Sequence, residues 1–299
     1  MNIAVNSPAG IDRADTALPI LACTGPLAIT IRAGTIVTAA DRRAVFETDT
    51  PIAIDNPGIG QDYGIRLADN GSVEAVPISA GFDRDQIFAG FHVAPFANAT
   101  ARGGGTPGPA INPYSCWDAG FRPACPDPRG MTLVDGRFWA DIYLLGADHL
   151  KTGAGTFGAR IADGVTLPAM PDGKKAKKLG YVTAQAIYAH HGKHLLGAEE
   201  FFAAAYGVEE RCSRDEEPDV TGEAAGARFV SKWGLIDATG TMWQWGTDGD
   251  PDNPRASIFG GHWWSGDDAG SRYAVLGSWP GDSDRSISAR GRCGHVTPA

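Results

Sequence analysis

Three stretches of the chain set metal- or phosphate-binding residue types at suggestive spacing. His190 and His194 stand four positions apart, with His191 between them, the separation that puts two imidazoles on one helical face for a metal. Gly192 interrupts the run and no acidic residue completes an HExxH pattern, so ordinary helix-end histidines are the expectation. Asp248, Asp250, Asp252 and Asn253 imitate the first ligands of a calcium loop, but Asn253 and Phe259 fall where the loop needs Gly and a bidentate Glu. A turn rich in Asp, Pro and Asn is the expected reading. Gly103, Gly104, Gly105 and Gly108 lack the GKS or GKT that a phosphate loop requires, and the flanking prolines oppose a helix start. The sequence shows no GxSxG, no Ser/His/Asp order and no carboxylate pair in an apolar setting, so neither catalysis nor a cofactor is expected.

Cys23, Cys116, Cys125, Cys212 and Cys293 form an odd set without CxxC spacing. Reduced thiols are the default, with a Cys116–Cys125 loop bridge as the alternative. The formal charge of −9 disfavours nucleic acid, and the Lys174, Lys175, Lys177, Lys178 run reads as a solvated loop. No apolar run is long enough to span a bilayer, so no membrane insertion is expected. The first twenty residues lack the basic start and apolar core of a signal peptide, so synthesis in the cytoplasm is expected.

What must position any site is a chain of short elements, since 299 residues include 40 Gly and 20 Pro. Leu27, Ile29 and Ile31 alternate, Pro51 to Ile54 follows, and Asp69-Asn70-Gly71 separates Tyr63–Leu67 from Val73–Val76 as a hairpin. These imply a small antiparallel β-sandwich over residues 1–85, ending near Ser79-Ala80-Gly81. Ile87, Phe88, Phe91 and Val93 open a second unit, 86–299, with a long loop over 101–113 and helices at about 182–191 and 198–206. In the second helix Glu199 and Glu200 suit the first turn, and Gly207 stops it.

Residues 259–293 follow neither the helical nor the strand period, yet carry Trp263, Trp264 and Trp279. Rigid aromatics among Ser, Gly and Asp compose a binding surface in the manner of antibody loops.

Three segments carry a family likeness. HLLGAEEFFAAAYG (194–207), GLIDATGTMWQW (234–245) and GGHW (260–263) resemble, in order, signatures of the sulfatase-modifying-factor group, whose fold is a variant of the C-type lectin. Its formylglycine-generating members place two copper-binding cysteines after the GGSW-like motif, whereas 262–272 here hold none. AGFHVAPFANATARGG, HHGKHL, FVSKWGL, FGGHW and ARGRCGH are more similar to the phage major tropism determinants, variable proteins of diversity-generating retroelements.

That resemblance, covering residues 24–299, implies an α+β fold: a small N-terminal antiparallel β-sandwich followed by a C-type-lectin-like domain. It implies a receptor-binding protein of tail-fibre type, displayed on a virion or other surface assembly, with a protein or glycan receptor as partner. The chain is expected to lack the family's N-terminal β-prism, and a homotrimer is the candidate oligomer. The alternative is an enzyme on the formylglycine-generating scaffold. Retroelement mutagenesis rewrites template adenines, so Asn codons become many residues; Trp264 would need a template codon ending in G. Matching the tail makes His262, Trp264, Ser265, Gly266, Asp268, Val275, Gly277, Ser278, Asp282, Asp284, Ser286 and Ile287 the expected variable positions, with Tyr273 and Arg285 as further candidates. Trp263, Gly270, Ser271, Arg272, Arg290, Gly291 and Cys293 are the expected scaffold, and Ser288 replaces a glycine usual in the family.

Overall fold

The computed structural model describes residues 10–39, 42–78, 81, 83–250, 252 and 255–297. Short β-branched runs punctuated by turns give β1 (Gly10–Asp12), β2 (Leu21–Gly25), β3 (Ala28–Ile31), β4 (Thr35–Ala39), β5 (Arg42–Phe46) and β6 (Thr50–Ile52). They form two antiparallel sheets, ordered β1-β4-β5 and β2-β3-β6. A third sheet holds β7 (Gln61–Leu67) and β8 (Val73–Pro77), joined by the expected hairpin, with Gly71 at φ +81° in its turn. The inward side chains, among them Ile29, Ile31, Val37, Ile65 and Phe91, bury one core between the sheets.

Strand β9 (Ala89–Ala97) lies beyond the division expected at residue 85 but belongs to the sheet of the first unit. It pairs with β7 from Gln61↔Val93 to Ile65↔Ala89, and Phe88, Val93, Ile111 and Cys116 belong to the same core as Ile29. The expected linker positions Ser79 and Ala80 lie outside the described residues. The expected loop over 101–113 is also corrected, because Thr106–Ile111 is strand β10 on the outer edge of β9. An edge tolerates Pro107 and Pro109, which lack a ladder donor, and the register shift between Pro107 and Ala110 is a bulge containing Gly108 at φ +111°.

The remaining elements are β11 (Trp117–Asp118), β12 (Arg122–Pro123), β13 (Met131–Val134), β14 (Phe138–Asp141), α1 (His149–Thr152), α2 (Tyr181–His190), β15 (His194–Leu195), α3 (Ala198–Ala204), β16 (Trp243–Gly246), β17 (Ala256–Phe259), β18 (Ala274–Ser278), β19 (Ile287–Ala289) and β20 (Gly291–Val296). The last strand, β20, lies between β12 and β14, tying the C-terminal segment back to residues 122–141. A further sheet, β18-β17-β16-β19, carries the tail, with β19 parallel to β16.

Both expected helices form. At the start of α3 Glu200 accepts the Gly197 N–H at 3.0 Å and Asp248 accepts the Ala198 N–H at 2.6 Å. The acidic turn therefore begins by capping a helix; Asn253 lies outside the described residues. Because α2 ends at His190 and His194 sits in β15, the two histidines do not share a helical face. Nor do Cys116 and Cys125 approach each other as a bridge: the Cys116 thiol lies against Cys23, and that of Cys125 against Met131. Among the described residues no helix is long and apolar enough to cross a membrane.

His191 pairs with buried His149, Nε2 to Nδ1 at 2.9 Å, while His149 Nε2–H donates to the Ala169 carbonyl. Burial, reinforced by Lys193 and His149, pulls His191 down to about 4. The unfolded chain takes up that proton near 6.5, so stability from this group is present above that value and is lost as pH falls toward 4. Its partial exposure leaves a loss on the order of 1–2 kcal/mol. Urea midpoints at pH 7 and 4.5 are expected to differ less in His191→Gln than in the parent; an unchanged difference rejects the assignment.

Candidate ligand-binding face

The tail surface begins where β17 ends. Gly260 and Gly261, at φ +93° and +79°, make a turn no side chain fits: a Cβ on Gly261 would stand 2.6 Å from that of Ala269. His262 then organises the next turn, its carbonyl accepting the Ser265 N–H and its Nδ1 the Trp264 N–H, at 3.0 and 2.9 Å. Trp263 packs half-buried against the cluster of Leu144, Ile161 and Met242, which throws its neighbour Trp264 outward.

The loop is held from behind by residues the sequence did not flag. Glu210 accepts the Ser271 N–H at 3.0 Å and also binds its hydroxyl, and Ser213 Oγ accepts the Gly266 N–H at 3.0 Å. No motif marks these residues, because their partners lie more than fifty positions away.

Residues 279–286 are anchored the same way. The Pro280 carbonyl accepts from Tyr181 at 3.1 Å, Ser283 Oγ accepts the Leu179 N–H at 2.8 Å, and the Asp284 carbonyl accepts from Gly164 at 3.0 Å. Backbone and Ser283 thus face the scaffold, leaving Asp282, Asp284 and Arg285 exposed. The Ser286 backbone N–H donates to the Asp284 carboxylate at 2.8 Å, and these Ser286 hydrogen bonds hold that carboxyl below its usual range, with Arg285 and His262 adding to the effect. Burial lowers the His262 imidazole, against the attraction of the Asp284 carboxylate.

Of the expected variable positions, Trp264, Gly266, Asp268, Val275, Gly277, Asp282, Asp284 and Arg285 are exposed, and His262, Ser265, Tyr273, Ser278 and Ser286 are half-buried. Ile287 is not on the surface: it is buried in β19 and packs in the core that contains Trp245 and Leu145. Among the expected scaffold residues, Trp263, Gly270, Ser271, Arg290, Gly291 and Cys293 are buried or half-buried, but Arg272 is exposed. Its side chain makes no hydrogen bond or ion pair among the described residues, so it does not act as frame.

The expected variable and scaffold sets leave out four exposed tail residues: Asp267, then Ala274 and Leu276 in β18, and Trp279 just beyond it. Strand β18 lies at the sheet edge and residues 274–277 are all exposed, so neither face is buried and no alternating apolar pattern marks the strand in the sequence. Trp264 is 83% exposed, Trp279 57%, Leu276 49% and Val275 43%. Arg255 covers one face of Trp279, 4.7 Å from the ring centroid. The acidic residues Asp267, Asp268, Asp282 and Asp284 are exposed in the same two loops.

Under all of this lies Arg290, wholly buried between β19 and β20. Its guanidinium donates to the carbonyls of Asp141, Ile142, Ile236 and Asp237 at 2.6–3.1 Å and to Gln244 Oε1 at 3.0 Å. Burial pulls it down to about 10, against the attraction of Asp237.

Comparison with known proteins agrees with this architecture. Residues 19–118 match the family model described as the Mtd second domain. The chain is 37% identical to the tail fiber receptor-binding protein of Bordetella phage BPP-1, across 95% of this chain and 84% of that one. Solved structures of the Major Tropism Determinant U1 and M1 variants superpose with TM-scores of 0.91 and 0.90 at 35% identity, covering 96% and 97% of this chain and 86% of each of theirs. The chain therefore belongs to the major tropism determinant family, built as a β-sandwich unit and a C-type-lectin-like unit.

Proposed function

We propose that this chain is a phage receptor-binding protein of tail-fibre type, whose exposed tail loops are diversified by a retroelement and bind a protein or glycan on a target cell. The observation that carries this reading is the set of solvent-exposed tryptophans and aliphatics Trp264, Val275, Leu276 and Trp279, carried on tail loops whose neighbouring residues are hydrogen-bonded to Glu210, Ser213 and Leu179. Large apolar side chains left in water and rimmed by charge mark an interaction site. The role is binding, without a cofactor. The proposed variable set is His262, Trp264, Ser265, Gly266, Asp268, Tyr273, Val275, Gly277, Ser278, Asp282, Asp284, Arg285 and Ser286, with Ile287 removed because it is interior. We place the junction of the two units after Asp118, where the sheet of β9 and β11 ends.

Several copies on one assembly would add avidity to modest single-site affinity. The proposed homotrimer rests on the family likeness and is read by light scattering.

The test is adhesion of fluorescently labelled protein to a panel of bacterial strains. A library randomised at the exposed variable positions should fold like the parent and change which strains are bound. Unaltered strain preference across folded library members overturns the reading. Asp267, Asp268, Asp282 and Asp284 favour a basic or amide-rich patch on the partner, so raising salt is expected to slow association with bound cells while leaving release nearly unchanged. A salt-independent on-rate rejects the charge contribution.

A further inference from the structure

We propose that Cys23 and Cys116 are a latent disulfide, open in a reducing cytoplasm and closed by a low-molecular-weight disulfide once the protein reaches an oxidising medium. Their sulfurs lie 3.9 Å apart although the residues are 93 positions apart in sequence. Cys23 sits on β2 and Cys116 follows the turn Pro113–Ser115, and both pack in the β-sandwich core. A bond between them would require the sulfurs to approach to about 2 Å and would enclose nearly the whole N-terminal unit in one ring.

The two thiols are unequal in a way that orders the reaction. Cys23 is half-buried and open to a small reagent, while Cys116 is buried. Hydrogen bonding from Cys116, helped by Arg32, holds the Cys23 thiol below its ordinary value, and donation to Cys23 together with burial pushes Cys116 up. The Cys23 thiolate is the nucleophile: it attacks one sulfur of an external disulfide such as oxidised glutathione, forming a mixed disulfide and expelling one thiolate. Cys116 then loses its proton to solvent, attacks the Cys23 sulfur and expels the second glutathione. Two electrons and two protons leave the protein, and one disulfide becomes two thiols.

The other cysteines supply internal controls. Cys125 and Cys293 also interact through their thiols, but both are buried and each touches the Met131 thioether, at 3.4 and 4.0 Å, so a reagent has no entry to them. Cys212 is half-buried beside the Arg228 guanidinium, with no thiol against it among the described residues.

The test is incubation of native protein with oxidised glutathione, quenching with N-ethylmaleimide, then intact mass and peptide mapping. A Cys23–Cys116 linked peptide is expected, with Cys125 and Cys293 alkylated only after denaturation and Cys212 carrying a single adduct. The thermal midpoint should rise by roughly 10 °C, reversibly with dithiothreitol. In Cys116→Ser, Cys23 should stop at the glutathione adduct; in Cys23→Ser, with its half-exposed replacement, Cys116 should stay unmodified. The proposal fails if native Cys23 keeps its glutathione adduct, stays alkylatable, or if Cys125–Cys293 closes first.

Discussion

Arg290→Met is expected to leave the protein unfolded or insoluble, the largest effect of any single change to the tail. The guanidinium satisfies four carbonyls and Gln244 in a place water does not reach. Removing it takes a donor from the Asp141, Ile236 and Asp237 carbonyls and from Gln244, at about 1–3 kcal/mol each, while the Ile142 carbonyl keeps the Ile236 N–H, for a total on the order of 5 kcal/mol. That is comparable to the whole stability of a typical domain. Methionine fills much of the volume, so the loss reports the hydrogen bonds more than a cavity. Arg290→Lys keeps the charge but not the planar fork, and should fold with a midpoint lowered by several degrees. Circular dichroism melts of the three proteins decide the matter: an Arg290→Met variant within 3 °C or so of the parent would mean that the frame does not depend on this side chain.

That contrast explains what could and could not be read from the letters. The Asn70-Gly71 hairpin and the two helices were legible because each rests on local geometry. Arg272 and Arg290 are the same residue type in the same punctuated tail, yet one is exposed and one wholly buried. Only the carbonyls of residues 141–142 and 236–237, remote in sequence, distinguish them. Ile287 failed for a related reason: a codon argument says which residues mutagenesis can produce, whereas burial depends on the parallel pairing of β19 with Trp243–Trp245. Strand β10 was hidden because Gly and Pro argue against strands in general but not against a bulged edge. The division at 85 followed a real change in character, but β9 turns back to pair with β7, a long-range contact that composition does not record.

Trp264→Ala is expected to weaken adhesion to the recognised cells by roughly 30-fold or more, about 2 kcal/mol, while leaving the melting temperature within about 2 °C of the parent. The two halves of this expectation have separate causes. The indole stands 83% in water, so truncating it removes little that the folded chain uses. The turn beneath it is set instead by His262, Ser213 and Gly261, which the substitution leaves untouched. At an interface the same ring would be covered on nearly every side, and exposed tryptophans are where truncation costs most. Leu276→Asp asks the same of the β18 edge, and Trp279→Ala of the aromatic beyond it. Asp284→Asn should behave differently, slowing association at low salt with little change in release, because a rim charge steers encounter more than it holds the complex. Labelled-protein titrations on cells measure the affinities, and wash-out kinetics measure release. If Trp264→Ala, Leu276→Asp and Trp279→Ala all adhere like the parent, recognition lies on another surface of the molecule, and the exposed aromatics of the tail must be explained by contacts between copies.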